Sequence, residues 1–266
     1  MPEEKVSADE SVRIRIHDSL TLPTLIYLPG THGDWSVITG LRNKLIPQFC
    51  FVEITYPRTV TWTLADYAEH IRKALKENGI TRGWLLGESF GSQVAWLLAN
   101  ETDTGFQCQG IILAGGFGRH PLPWAVSMAS KGFTRFMADE GRVRRAMKNY
   151  ARYVHRFYEQ TPETASSVEM FIQRRTPEDA QAAVHRLRLI QGHAPAELVR
   201  RTQVPVFSLS GVWDQLVPWF VVTPWLKCHC PGYRDSKLIL KADHNVLFSA
   251  PTKSARTIQE WLGRVG

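Results

Sequence analysis

A serine hydroxyl attacks at neutral pH only when a base takes its proton and an acid group orients that base. One serine in this chain is set out for such chemistry. Ser89 lies in Gly87-Glu88-Ser89-Phe90-Gly91, within a run from Trp84 to Trp96 that reads as a short buried strand, a turn and a helix. In that setting the pattern predicts a tight strand-to-helix turn that lifts the hydroxyl clear of its surroundings. Glycine suits positions where neighbouring backbone leaves no room for a Cβ. A helix starting just beyond Ser89 would aim its unpaired N–H groups toward the serine's substrate. The five-residue pattern is common in itself, so the partners decide.

In doubly wound sheets, functional groups gather beyond the C-terminal ends of strands. That restriction selects among the nine histidines. His244 follows the apolar run Leu238-Ile239-Leu240, inside Ala242-Asp243-His244-Asn245. The preceding strand, Val204 to Ser210, delivers Asp214 a few residues past its end. Ser89, Asp214 and His244 thus occur in the chain order serine, acid, histidine, each at the expected edge of a different strand. Two plainer roles stand beside this one: Asp214 as the cap of the element after Gly211, and His244 as a loop hydrogen-bonder. Asp243 is the rival acid, but its adjacency to His244 keeps it from the far side of that ring.

The elements that must position these residues alternate. Strand patterns are expected at Ser11–His17, Leu22–Leu28, Cys50–Tyr56, Trp84 onward, Gly110–Ala114, Val204–Ser210 and Lys237–Leu240. Helical spacing covers Trp35–Leu45, Leu64–Leu75, the stretch from the serine turn to about Ala99, and Thr252–Leu262. Continuous apolar strands between helices predict an α/β fold with a doubly wound, mostly parallel sheet covered on both faces. Between Pro121 and Arg200 no strand pattern occurs, and apolar residues such as Val143, Met147, Tyr150 and Val154 recur at helical spacing. The expected organisation is a core of residues 1–117 and 201–266, with a helical insertion over 118–200.

At this point the chain resembles the α/β-hydrolase family over nearly its whole length. The matching motifs are Gly87-Glu88-Ser89-Phe90-Gly91, Gly211-Val212-Trp213-Asp214-Gln215-Leu216-Val217-Pro218 and Asp243-His244-Asn245. The resemblance implies Ser89 as nucleophile, His244 as general base and then acid, Asp214 as its orienter, and the insertion as a cap. It implies oxyanion donors from the backbone N–H of Phe90 and from the loop after Leu28. There Leu28-Pro29-Gly30-Thr31 places Gly30 in the role of the family's usual His-Gly glycine, which nominates Thr31 N–H. A shifted register over His32-Gly33-Asp34 would nominate Asp34, whose carboxylate would repel an oxyanion. His32 is left either lining the site or buttressing the loop. Ser92 stands where many members of the family have a further glycine, a departure that a residue as small as serine tolerates, and Glu88 is expected to turn inward without a chemical role. Trp35, Trp213, Trp219 and Phe220 are candidate walls of an acyl pocket, with plain core as the alternative. The implied activity is cleavage of an ester or thioester through an acyl-enzyme, with no cofactor and no metal. A C–C bond hydrolase, an acyltransferase or a non-catalytic binding protein would share these motifs. A serine nucleophile disfavours the family's dehalogenase and epoxide-hydrolase branches, which use aspartate.

Composition narrows the rest. With 266 residues, 44% hydrophobic and 21% charged, the chain is of ordinary globular make-up. Its polar, acidic start from Met1 to Lys5 lacks the apolar run of a secretory signal, and no stretch reaches the roughly 18 apolar residues of a membrane span. A cytoplasmic location follows as the expectation, with Cys50, Cys108, Cys228 and Cys230 as reduced thiols. Cys228-His229-Cys230 has no second Cys/His pair at zinc-finger spacing. The formal charge of +7 is concentrated: residues 116–200 hold 14 Lys/Arg against 8 Asp/Glu, a net of +6. That is either a solvated basic surface or an attraction for an anionic partner. No nucleic-acid motif accompanies it. An anionic acyl substrate is the expected use of Arg142, Arg144, Arg145, Arg152 and Arg156, if they have one.

Overall fold

The computed structural model describes residues 11–100, 105–122, 124, 126, 128, 132, 140–192 and 195–264. Met1–Lys5 lies outside them, as do the side chains of Arg142, Val143, Arg144 and Met147. Seven strands form one sheet: β1 (Arg13–His17), β2 (Thr24–Leu28), β3 (Cys50–Thr55), β4 (Arg82–Glu88), β5 (Gln107–Ala114), β6 (Val206–Gly211) and β7 (Tyr233–Ile239). Their order is β1-β3-β2-β4-β5-β6-β7, with β1 antiparallel to β3 and every other pairing parallel.

The helices are α1 (Thr39–Leu45), α2 (Leu64–Glu77), α3 (Gly91–Asn100), α4 (Glu140–Phe157), α5 (Pro162–Gln173), α6 (Pro177–Gly192), α7 (Ala196–Arg201), α8 (Trp219–His229), α9 (Val246–Ser249) and α10 (Pro251–Gly263). Because side chains alternate across a strand, the central strands bury both faces. Ile26, Leu28, Val52, Ile54 and Leu85 pack with α2, α3, α7 and α8. Leu25, Tyr27, Phe51, Trp84 and Leu86 pack on the other face with α1, α9 and α10. A smaller cluster of Val37, Val154, Tyr158, Val168 and Phe248 joins α4 and α5 to the edge of the second layer.

The seven expected strands are present, with altered ends. β6 begins at Val206 because Pro205 can donate no ladder bond, and β7 extends back to Tyr233 as a half-exposed edge. The first helix starts at Thr39, not Trp35: Trp35, Val37 and Ile38 are buried in a bend whose Ser36 N–H is held by Asp34 Oδ1 at 2.8 Å. Helix α8 has no counterpart in the sequence reading. Pro218 precedes it without hindering it, but Pro224 sits inside it, and an interior proline argues against a helix by local rules. Trp35 is core, packed among α1 and α10 residues, not a pocket wall.

Candidate functional site

The register of the sheet brings the strand ends to one edge. Leu28 pairs with Gly87, Glu88 with Ala114, Ala114 with Leu209, and Gly211 with Ile239. The segments beginning at Pro29, Ser89, Gly115, Val212 and Leu240 therefore share the C-terminal side. Ser89 leaves β4 with φ of +48°, a left-handed conformation that a non-glycine residue holds only under constraint. The constraint is visible. Ser89 N–H bonds Ala114 O at 3.0 Å, and α3 begins two residues later. A Cβ on Gly87 would meet Ser92 Cα at 2.9 Å. One on Gly91 would stand 2.9 Å from Pro29 O and closer still to Leu28 O. Ser92 is fully buried and useful: its Oγ donates to Ser89 O at 2.6 Å and accepts Phe117 N–H at 3.2 Å.

Around Ser89 the three residues selected from the sequence meet. His244 Nε2 lies 2.9 Å from Ser89 Oγ, and His244 Nδ1 lies 2.9 Å from Asp214 Oδ2. Asp214 is 6% exposed and uses its other oxygen locally, where Oδ1 accepts the N–H groups of Leu216 (3.0 Å) and Val217 (2.8 Å). The carboxylate thus holds the turn after β6 and partners the histidine at once, and it caps no helix, since α8 has Pro218 at its N-cap. Burial, the largest influence on His244, disfavours its charged form. The hydrogen bond and charge of Asp214, with Glu88 and Asp243 behind, outweigh it and raise the pKa above the usual histidine value. Asp243 is turned away: its Oδ2 accepts from Tyr158 Oη at 2.7 Å and Tyr153 Oη at 3.2 Å, and its Oδ1 from Asn245 N–H at 3.0 Å. It ties the histidine loop to α4.

The loop after β2 lies against the nucleophile. An ideal Cβ on Gly30 would be 3.5 Å from Ser89 Cβ and 3.3 Å from His32 Nδ1. Among the described residues no backbone carbonyl accepts from Thr31 N–H or Phe90 N–H. Asp34, the alternative oxyanion residue, has its carboxylate held by Arg175 at 2.6 Å. His32 buttresses: its Nε2 stands 3.3 Å from Tyr27 Oη and 3.9 Å from Glu88 Oε2, and Tyr27 Oη donates to Glu88. Burial keeps His32 below its ordinary pKa despite the neighbouring Glu88.

Three features of the site escaped the sequence reading. His120, after β5, is held at a pKa of about 4, first by burial and then by nearby His244. Tyr27, Glu88 and His32 form a buried polar chain behind Ser89. Arg175 and Arg186 reach from the segment between β5 and β6 to the Gly30 loop. Trp213 and Phe220 are 66% and 63% exposed, and Trp219 is half-buried with its indole N–H on Val212 O at 3.4 Å. A cleft of about 930 Å³ lined by Leu20, Pro23, Trp84 and Gln107 opens at the opposite, N-terminal side of the strands and contains none of the site residues. Cys228 is exposed and Cys230 buried, so the pair faces two ways.

A chain of hydroxyl, imidazole and carboxylate at hydrogen-bond distances is able to pass a serine proton. The sequence profile described as alpha/beta hydrolase fold matches residues 46–251. The chain belongs to the α/β-hydrolase fold family. Solved structures of that family resemble it in shape at low identity. The esterase EaEST from Exiguobacterium antarcticum aligns with a TM-score of 0.74 at 13% identity, over 95% of this chain and 95% of its own. A thermophilic esterase from Thermogutta terrifontis gives 0.72 at 20% identity, over 96% and 93%. MenH from S. aureus gives 0.75 at 14%, over 96% and 98%. No curated protein matches the sequence. This α/β hydrolase has a seven-stranded, mostly parallel sheet flanked by helices. No helix among its described residues is long and apolar enough to cross a membrane.

Proposed function

We propose that the protein is a serine hydrolase that cleaves a carboxylic ester or thioester through an acyl-enzyme. The observation that carries this reading is the unbroken chain from Ser89 Oγ through His244 to Asp214, at 2.9 Å per step. In the first half-reaction His244 Nε2 takes the Ser89 proton as Oγ attacks the carbonyl carbon. Asp214 fixes the Nδ1–H tautomer and stabilises the imidazolium. The carbonyl oxygen becomes an oxyanion received by the N–H groups of Thr31 and Phe90. Collapse expels the alcohol or thiol, which takes its proton from His244, and leaves an ester on Ser89. Water, deprotonated by the same His244, then attacks that ester and releases the acid. Supporting this reading, the segments after β4, β6 and β7 present the three groups already at hydrogen-bond distance, an orientation that lowers the entropic cost of reaction.

Residues 118–200 act in this reading as a cap over the site, and α4 faces solvent with Arg145, Arg152 and Arg156 exposed. Those arginines favour an anionic acyl substrate. Arg142 and Arg144, named with them from the sequence, have side chains outside the described residues. The test is labelling by a fluorophosphonate probe, followed by a panel of neutral and anionic esters and thioesters of graded chain length. Wild-type protein should label at Ser89 and turn over at least one ester class, and Ser89→Ala should do neither. Folded wild-type protein that does not label would refute the hydrolase reading. Equal, salt-insensitive turnover of neutral and anionic substrates would refute the anionic preference.

A further inference from the structure

We propose that Arg186, assisted by Arg175, is a positioning residue for the oxyanion hole: the segment between β5 and β6 fixes the direction of Thr31 N–H by gripping the carbonyls around it. The inference rests on the hydrolase reading for its catalytic consequence and on geometry for the rest. The turn Gly30–Gly33 is closed by Gly33 N–H on Gly30 O at 3.0 Å. Because a peptide group is planar and trans, holding Gly30 O on one side sends Thr31 N–H to the other. The following peptide is held by Arg186, whose Nη1 donates to Thr31 O at 2.9 Å. Arg175 Nη1 then donates to His32 O at 3.0 Å, and Tyr56 N–H to Gly33 O at 2.8 Å. Every carbonyl from Gly30 to Gly33 is therefore occupied. Both peptide planes that flank the Thr31 Cα are fixed, one of them by a guanidinium from a distant part of the chain.

Arg186 is built for this place. It is 1% exposed, and among the described residues no carboxylate pairs with it. Its Nη2 donates to Pro57 O at 2.8 Å and its Nε to Tyr67 Oη at 3.3 Å, while its Cζ stands 5.4 Å and 5.9 Å from the ring centres of Tyr56 and Tyr67. A buried cation is costly unless each N–H finds an acceptor, and here the acceptors are mostly main-chain oxygens of the two loops it joins. The turn is shaped around it. Gly33 has φ of +83°, and a Cβ there would meet Arg186 Nη1 at 2.5 Å and Cζ at 2.8 Å. Docking of α6 does not itself need Arg186, because Arg58 Nε holds Asp179 at 2.8 Å and His185 Nε2 bonds Trp62 O at 2.7 Å. The two functions, docking the helix and aiming the turn, are therefore separable by mutation.

The experiment compares Arg186→Met and Arg186→Lys with Asp179→Asn, which loosens α6 without touching the turn. For each, kcat and KM on the best ester are measured together with amide exchange at Gly33 and Tyr56. Loss of one oxyanion donor costs on the order of 10²–10³ in kcat elsewhere. R186M is expected to lose about 100-fold in kcat with KM within about twofold, and to exchange Gly33 and Tyr56 faster, while α3 amides stay protected. R186K, with a single ammonium in place of a fork, should fall between R186M and wild type. D179N should keep kcat within about twofold. The proposal is overturned if R186M keeps kcat within about threefold, if the Gly33 and Tyr56 amides exchange as in wild type, or if D179N loses as much as R186M. Should R186M fail to fold, R186K decides by the same readouts. Absence of fluorophosphonate labelling in wild type would sink the hydrolase reading instead, and the clamp is then judged on exchange alone.

Discussion

Asp214→Asn separates orientation from packing, because the two oxygens of Asp214 face different demands. Oδ1 accepts two backbone N–H groups, from Leu216 and Val217, and Oδ2 accepts from His244 Nδ1. An asparagine has one oxygen and one NH₂. Turning the NH₂ toward Leu216 and Val217 would set donors against two donors at about 3 Å, leaving two buried N–H groups unsatisfied at about 1–3 kcal/mol each. The oxygen therefore stays on the backbone and the NH₂ faces His244. The ring must then offer an unprotonated Nδ1, which puts its proton on Nε2, beside Ser89. That tautomer cannot take the serine proton. In a serine protease of unrelated fold the same exchange lowers kcat about 10⁴-fold, equivalent to about 5 kcal/mol of transition-state stabilisation. The expected result here is a loss of that order with little change in KM and a Tm within a few degrees of wild type. Stopped-flow measurement of the acylation burst, beside a thermal melt, checks it. If D214N keeps more than about a tenth of wild-type kcat, the acid is another residue and the reasoning from tautomer falls.

The pH profile follows from the same pair. His244 must be neutral to act as base, and its folded pKa is raised, so kcat/KM should climb with pH through a midpoint above 6.5. In D214N the carboxylate that raises it is gone, so the residual limb should move to lower pH, and an unmoved limb would argue against the pairing. His120, held neutral down to about 4, contributes nothing to that limb; His120→Gln should leave its midpoint in place. Gly91→Ala would press a methyl into the backbone of Leu28 and Pro29. It should destabilise by about 1–3 kcal/mol, as overpacking does, with Tm down by roughly 2–4 °C per kcal/mol and activity lost with the shifted loop. A melt at wild-type Tm would mean that the strand–helix approach is looser than drawn.

How much of this was legible in the chain depended on the kind of order involved. β4 and β6, buried on both faces, announce themselves as apolar runs, and the half-exposed β7 ends in the short apolar run Leu238-Ile239, so all three strand ends were readable, and with them Ser89, Asp214 and His244. Helix α8 was hidden because Pro224 breaks the local rule while packing of Val222 and Leu226 against the sheet side overrides it. The polar support of the site was hidden for a different reason. Tyr27 and Glu88 are 61 residues apart and Arg186 is 155 from Thr31, and periodicity along a chain says which way a residue faces, not what it will meet. Yet a trace existed. Ala182, Arg186 and Ile190 recur every four residues on the buried face of α6, so a charged residue stood where helical spacing demands an apolar one. Lone arginines on a core face are expensive unless their N–H groups all find acceptors. The carbonyl-rich turns beyond parallel strands are where acceptors lie unpaired by any ladder. An arginine out of pattern on an inserted helix, in a chain whose strand ends carry a serine, an aspartate and a histidine, thus points toward the loops of that edge before any coordinate is seen.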